Sequence, residues 1–187
     1  MNKLIESIEE NPVIAAVKNT EDMDAALGSP VSTIFLIHAD IFNIKELVNK
    51  ISASGKNVFI HIDFLEGIGK DLKAVEYLAN DIKPDGIITT RIANVKFAKE
   101  KGIFVVQRFF LIDSQSYNTM ITSIHSNPPD MIEIMPAVMP GIIKKACGET
   151  DLPIIAGGLI ESKKDIIEIL NAGALGASTG KKELWML

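Results

Sequence analysis

Eight short apolar runs punctuate the chain, each bounded by turn residues. They are PVIAAV (12–17), TIFLIH (33–38), NVFIHID (57–63), GIIT (86–89), IFVVQ (103–107), MIEIM (131–135), PIIAG (153–157) and LGAS (175–178). Length and punctuation suit strands. Their near-continuous apolar character means that both faces are covered, as in a parallel sheet. Between them the period changes to that of a helix. IKELVNKIS (44–52) puts Ile44, Leu47, Val48 and Ile51 on one face, and DLKAVEYLAN (71–80) does the same with Leu72, Val75 and Leu78. IIEILNAG (166–173) ends on a glycine suited to a helix C-terminus, and Ser54-Gly55 and Lys101-Gly102 mark comparable ends. Asp113-Ser114 reads as a helix N-cap.

Eight strand–helix units imply an α/β fold, a compact (β/α)8 TIM-type barrel. An open flavodoxin-like sheet is the rival, and the count of eight favours the barrel. The chain is short for that fold, and only ELWML (183–187) follows the eighth run, so a shortened last helix is expected. No Pro/Gly/Ser-rich linker divides the chain, and a single barrel domain over 1–187 is expected.

Composition narrows the classes. Hydrophobic content of 47% and charged content of 23% are ordinary globular values. No run approaches the roughly 18 apolar residues of a membrane span, and MNKLIESIEENP lacks the apolar core of a secretory leader. The one cysteine, Cys147, cannot form an internal disulfide, and a reducing cytoplasm is the expected compartment. A net charge of −5 argues against bulk nucleic-acid affinity. It leaves room for local patches at Lys144-Lys145, Lys163-Lys164 and Lys181-Lys182. No DNA or membrane partner is expected.

In a barrel the working face is the C-terminal rim of the strands. Polar residues collect there: Lys18; His38 and Asp40; His61, Asp63 and Glu66; Thr89, Thr90 and Arg91; Gln107 and Arg108; Glu133. Buried polar groups at this density need partners or a ligand. The seventh and eighth strands end instead in bare residues, Gly157-Gly158 and Ser178-Thr179-Gly180. These two strands are neighbours in a barrel, and their loops with a short following helix form a recurrent phosphate site. Glycines admit the anion to backbone N–H groups, Ser178 or Thr179 offers a hydroxyl, and Lys181–Trp185 would supply the helix.

Each singled-out residue also has a plain structural explanation. Gly157-Gly158 would serve tight packing and Gly180 a turn. Arg91 and Arg108 would form salt bridges with Asp63 or Glu133 rather than reach a ligand. His61 and Asp63, two apart, point to one side, where they would meet a hydroxylated ligand or His61 would be a satisfied core histidine. Lys18 has the position of a Schiff-base or phosphate-binding lysine, against the alternative of surface lysine. His125, in the loop-like SIHSNPPD, is assigned nothing. The histidines do not fall at metal-ligand spacings, and no metal or catalytic cofactor is expected.

HIDFLEGIGKD (61–71), DGIITTR (85–91), VVQRFFLIDS (105–114), PDMIEIMP (129–136), PIIAGGLI (153–160) and the terminal ELW, with the early PVIAAVK (12–18), resemble the glycerol-uptake operon antiterminator family. The resemblance covers nearly the whole chain in order. It implies a ligand-responsive regulator with no catalytic residues. Glycerol 3-phosphate would be the effector and leader mRNA the target, with antitermination of glycerol-utilisation genes as the outcome. Phosphate would meet Gly157, Gly158, Ser178, Thr179 and Gly180. The hydroxyls and charge would meet Lys18, His61, Asp63, Arg91, Arg108 and Glu133. A homodimer could combine two modest RNA-binding patches. The competing class is a small phosphosugar or triose-phosphate lyase or isomerase using Lys18 or a carboxylate.

Overall fold

The computed structural model describes residues 2–187. Eight parallel strands close on themselves in sequence order, β1 (Val13–Val17), β2 (Thr33–Leu36), β3 (Asn57–His61), β4 (Gly86–Thr89), β5 (Phe104–Phe110), β6 (Met131–Met135), β7 (Ile154–Gly157) and β8 (Gly176–Thr179). Closure is made by β1 against β8, with Val13 opposite Ala177 and Ala15 opposite Thr179. The α-helices are α1 (Lys3–Glu10), α2 (Met23–Gly28), α3 (Ile44–Ala53), α4 (Leu72–Tyr77), α5 (Ile92–Glu100), α6 (Ser114–Ser126), α7 (Pro140–Glu149) and α8 (Lys163–Asn171). Helices cover the barrel outside, so every strand is buried on both faces, as continuous apolar runs require.

Successive residues of a strand alternate between lumen and helix shell. The lumen-facing set forms its own cluster: Ile14, Ala16, Phe35, Ile37, Phe59, Ile88, Phe104, Val106, Met131 and Ile155. α1, which precedes the first strand, adds Ile8, Leu4 and Ile5 to that cluster and closes the N-terminal end. Phe59 lies 5.5 Å from Phe35 and 5.7 Å from Phe104, ring centre to ring centre. Gly86 makes room for it, because a Cβ there would overlap the Phe59 ring.

Several local expectations match and others need correction. Asp113 and Ser116 form a reciprocal N-terminal cap on α6. Gly55, Gly102 and Gly173 all take positive φ after helices, at 78°, 72° and 105°. Beyond β8 the chain makes only a 3-10 helix, Lys182–Met186, anchored by Trp185, whose indole N–H donates to the Thr179 carbonyl at 2.7 Å. β3 stops at His61, and Ile62–Phe64 turns as a 3-10 helix, so the run to residue 63 is not all strand. β5 continues through Phe110, which places Gln107 and Arg108 within the strand rather than after it. α4 runs into a π-helical turn at Leu78–Ile82, and Leu72 is exposed while Ala74, Val75 and Leu78 are buried. His125 sits in the last turn of α6 rather than in a loop.

Candidate functional site

At the C-terminal end of the lumen the apolar layer gives way to charge. Arg108 on β5 and Glu133 on β6 are register partners, so both enter the lumen side by side. Arg108 Nε donates to Glu133 Oε2 at 2.6 Å, and Ser178 Oγ donates to Glu133 Oε1 at 2.5 Å. Glu133 is wholly buried and Arg108 is 5% exposed. A buried carboxylate is tolerated only with such partners. Gly157 makes the arrangement possible: a Cβ there would overlap Ser178 Oγ and come 2.7 Å from Glu133 Oε1. The absence of a side chain at Gly157 therefore leaves room for the Arg108–Glu133–Ser178 cluster.

Above this cluster lies a cavity of about 400 Å³. Its wall includes Lys18, Arg108, Gly158, Ser178, Thr179 and Gly180, with Asp22, Glu161 and Lys181 at its edge and Ala16 and Ile37 beneath. Gly158 (φ 78°) and Leu159 (φ 59°) are consecutive left-handed residues in the loop after β7. A left-handed leucine costs on the order of 1–3 kcal/mol, and such residues concentrate at ligand-binding loops. Gly180 lies beside Lys18, and a Cβ there would make only an ordinary contact at 3.7 Å from Lys18 Cε, so packing does not require glycine at this position.

The hydrogen bonds around the cavity show which groups have capacity left. Ser178 spends its proton on Glu133, so it can only accept. Thr179 Oγ1 accepts from the Lys181 amide at 3.1 Å and keeps its own proton to donate. Some backbone amides near the two helix starts are engaged within the protein. The Lys181 amide, which opens the terminal 3-10 helix, is held by Thr179, and at α8 the Glu161 and Ser162 amides donate to Asp165 Oδ2 at 2.9 and 2.8 Å. Those amide bonds hold the Asp165 carboxyl below its ordinary range, so it stays charged at the head of the helix. Lys181 pairs with Glu161, and Lys182 with Asp22 at 2.7 Å. The cavity's uncommitted positive charge therefore resides on Lys18 and on the part of the Arg108 guanidinium beyond Nε.

The remaining residues singled out from the sequence lie apart. Asp63, placed by the 3-10 turn, accepts from Thr89 Oγ1 (3.0 Å), the Thr90 amide (2.7 Å) and Thr90 Oγ1 (2.9 Å). Arg91 approaches it at 3.9 Å and donates from Nη1 to the Lys70 carbonyl at 2.9 Å. Asp63 and Arg91 thus form a closed knot over β3 and β4, outside the cavity wall. His61 lies between the two groups, 1% exposed, with no hydrogen-bond partner for either ring nitrogen. Phe64 covers it, with ring centres 4.4 Å apart. Burial, reinforced by the Arg108 charge and opposed by Asp63, pushes the imidazole down to about 3, so it is neutral near pH 7. Gln107 faces the helix shell and donates to Ser123 Oγ at 3.2 Å.

A second cavity of about 630 Å³ adjoins the first through Lys18 and Asn19. Glu21, Asp40 and Glu66 line it against the one cation Lys18. That excess of negative charge disfavours an anion there. Among the described residues no three His, Cys, Asp or Glu side chains are grouped to hold a metal ion. Sequence reasoning did not single out Leu159, Glu161 or Phe64. Glu161 and Leu159 stand in the loop after β7, where only the glycines draw attention, and Phe64 reads as one more core aromatic.

Comparison with known proteins places this geometry. The chain is 34% identical over 184 residues to the uncharacterized protein YgcP of Escherichia coli (strain K12), covering 98% of this chain and 96% of that one. Among solved structures, it is similar to the glycerol uptake operon antiterminator regulatory protein of Listeria monocytogenes. The TM-score is 0.90 at 34% identity, over 94% of this chain and 95% of that one. A glycerol uptake operon antiterminator-related protein of Thermotoga maritima superposes with a TM-score of 0.83 at 31% identity, over 94% and 98% of the two chains. The family model for the glycerol-3-phosphate responsive antiterminator matches residues 13–185, from the start of β1 to the buried Trp185, and the chain belongs to that family.

Proposed function

We propose that this protein is a regulator that binds glycerol 3-phosphate in the cavity over Arg108, Glu133 and Ser178 and, in that state, engages a leader mRNA to promote transcription antitermination. The observation that carries the ligand half is the convergence of Lys18, which makes no ion pair among the described residues, and the outer part of the Glu133-paired Arg108 guanidinium on a cavity edged by Gly158, Thr179 and Gly180. Lys18, Arg108 and the Thr179 hydroxyl, with backbone at Gly158 and Gly180, hold the phosphate. Gly157 and Glu133 act one layer below, holding Arg108 and Ser178 in place. The glycerol end passes Ser178 Oγ on β8, which offers an acceptor, and runs toward β3, where His61 offers both a donor and an acceptor once Phe64 moves aside. Asp63 and Arg91 shape the rim without touching the ligand.

The regulatory half rests on family membership. An effector shifts an equilibrium only by its differential affinity for two states, so the RNA-competent state must be the one that closes on the phosphate. A transcription-coupled role places the protein in the cytoplasm. A lyase or isomerase needs an acid–base pair free to move protons. Here Glu133 in the lumen and Asp63 at the rim each accept internal hydrogen bonds on both oxygens, so the geometry supports binding better than turnover.

The experiment is a mobility shift of a terminator-bearing leader RNA with and without glycerol 3-phosphate, alongside calorimetry with the effector alone. An effector-dependent complex is expected. Effector binding with no RNA complex would reject the regulatory half, and turnover of the phosphate ester would reject the whole reading.

A further inference from the structure

The cavity over Arg108 is edged by an ion pair. Lys181, just past β8, pairs with the carboxylate of Glu161 in the loop after β7, and its Nζ also donates to the Glu161 carbonyl at 3.2 Å. Both residues line the cavity. The adjacent Lys182 does not; it pairs with Asp22 at 2.7 Å. A Cβ on Gly180 would lie 3.9 Å from Lys18 Nζ, so that ammonium rests against the turn leading into Lys181. Two lysines thus meet at one turn, and Glu161 takes up the charge of one of them.

The charges on the cavity wall do not suit a phosphate monoester as they stand. Such a group carries about −1.5 to −2 near pH 7. The lining cations are Lys18, Arg108 and Lys181, and the lining carboxylates are Asp22 and Glu161. Arg108 is shared with Glu133 beneath it. An incoming dianion therefore meets a wall whose positive charges are already matched by negative ones. It gains a third cation only when a carboxylate withdraws. Exposure decides which one does. The Asp22 side chain is 22% exposed and held by Lys182, whereas that of Glu161 is 69% exposed. A carboxylate facing water leaves its partner at small cost, because exposed ion pairs contribute little. The phosphate offers the ammonium more charge and three acceptor oxygens in return.

The backbone on both sides stays in place during such an exchange. The Lys181 amide is fixed by Thr179 Oγ1 at 3.1 Å, and the Glu161 and Ser162 amides by Asp165 Oδ2. Only two side chains need to turn. We propose that Glu161 is a built-in counter-anion that a phosphate monoester displaces from Lys181, so that Lys181 becomes the third cation on the ligand. This rests on the cavity being the phosphate site and adds a residue on each side of the balance: Lys181 strengthens binding, and Glu161 restrains it.

Calorimetry with glycerol 3-phosphate tests the exchange. Glu161→Gln should tighten binding by about two- to fivefold, the range that an exposed ion pair spans. Lys181→Met should weaken it by about tenfold. Lys164 and Glu168 form a comparable pair on α8, 3.7 Å apart and off the cavity wall, so Glu168→Gln and Lys164→Met serve as charge controls and should leave the affinity unchanged. Lys181→Met made on top of Glu161→Gln should still weaken binding by about tenfold, whereas a lysine that only holds Glu161 would then have no effect left. Circular dichroism checks that each variant is folded. A wild type that binds the ester, with Glu161→Gln no tighter or with Lys181→Met silent in the Glu161→Gln background, would overturn this proposal and leave the phosphate site standing. A wild type that binds no ester would overturn both.

Discussion

The two ends of the barrel lumen are built by the same alternation of strand residues and hold opposite chemistry. The N-terminal end is closed by α1 and filled by Ile8, Ile14, Phe35, Phe59, Phe104 and Met131. The C-terminal end carries Arg108, Glu133, Ser178 and a partnerless His61 under a cavity that opens at Lys18. Moving one alternation along the same strands replaces Phe59 with His61, Val106 with Arg108 and Met131 with Glu133. Apolar contact stabilises the first layer without directional demands. The second is held by the hydrogen bonds of Glu133 to Arg108 and Ser178, and leaves the rest of the Arg108 guanidinium and the His61 ring to act on a ligand. The barrel thus separates stability from recognition by a single layer.

Removing a floor side chain breaks the comparison hardest. Phe59→Ala empties the space between Phe35, Phe104 and Gly86. A loss of about 3–5 kcal/mol is expected, read by urea unfolding, with glycerol 3-phosphate affinity of the folded protein unchanged. A mouth substitution should change both quantities. Glu133→Gln leaves the buried Arg108 without its counter-charge, a cost of about 3 kcal/mol, and calorimetry should show weakened effector binding as Arg108 shifts. Gly157→Ala is smaller, about 1–3 kcal/mol from overpacking against Ser178 and Glu133. It too should lower affinity, whereas an alanine that left Glu133 and the ligand undisturbed would undo the role given to this glycine.

The last effect is a slope with pH. His61 is held neutral to about pH 3 in the folded protein, against an ordinary value of 6.5. Its folded value is depressed, so the stability tied to the neutral ring is complete above pH 6.5 and is lost as pH falls from 6.5 toward about 3. Across that window unfolding takes up one extra proton, and stability should fall by up to about 1.4 kcal/mol per pH unit. Urea unfolding at pH 7 and pH 5 should show this slope in the wild type and a shallower one in His61→Phe. Equal slopes would mean that the imidazole is already protonated or solvated when folded.

The floor was legible in the sequence because its code is simple: eight apolar runs with helical periods between them force the barrel. Leu72 misled because it fits the helical period, yet the chain has just left a loop at Asp71 and the helix packs by Ala74 and Val75 instead. The mouth was half legible. Which residues gather at the strand ends follows from position, and Arg108, Glu133, Lys18 and the glycine corners were all identifiable. How they divide the work was not, because it depends on distances between strands far apart in sequence. Gly157 and Ser178 read as phosphate ligands by composition, and only their approach to Glu133 reveals them as its packing partners. Asp63 shares a side with His61 by strand spacing, yet the strand ends two residues earlier, at His61, and the 3-10 turn carries Asp63 to Thr89 and Thr90.

The central claim is that the side-chain cations Lys18 and Arg108 hold a phosphate at the open end of the lumen. Calorimetry of glycerol 3-phosphate and of glycerol, on the wild type and on Lys18→Met, tests it most directly. Lys18 is exposed and makes no ion pair among the described residues, so its loss should leave the fold intact. The account predicts tight binding of the phosphate ester alone, weakened about tenfold by Lys18→Met, the equivalent of roughly 1.4 kcal/mol. Equal binding of glycerol by the wild type, or an affinity for the ester unchanged by Lys18→Met, would contradict it.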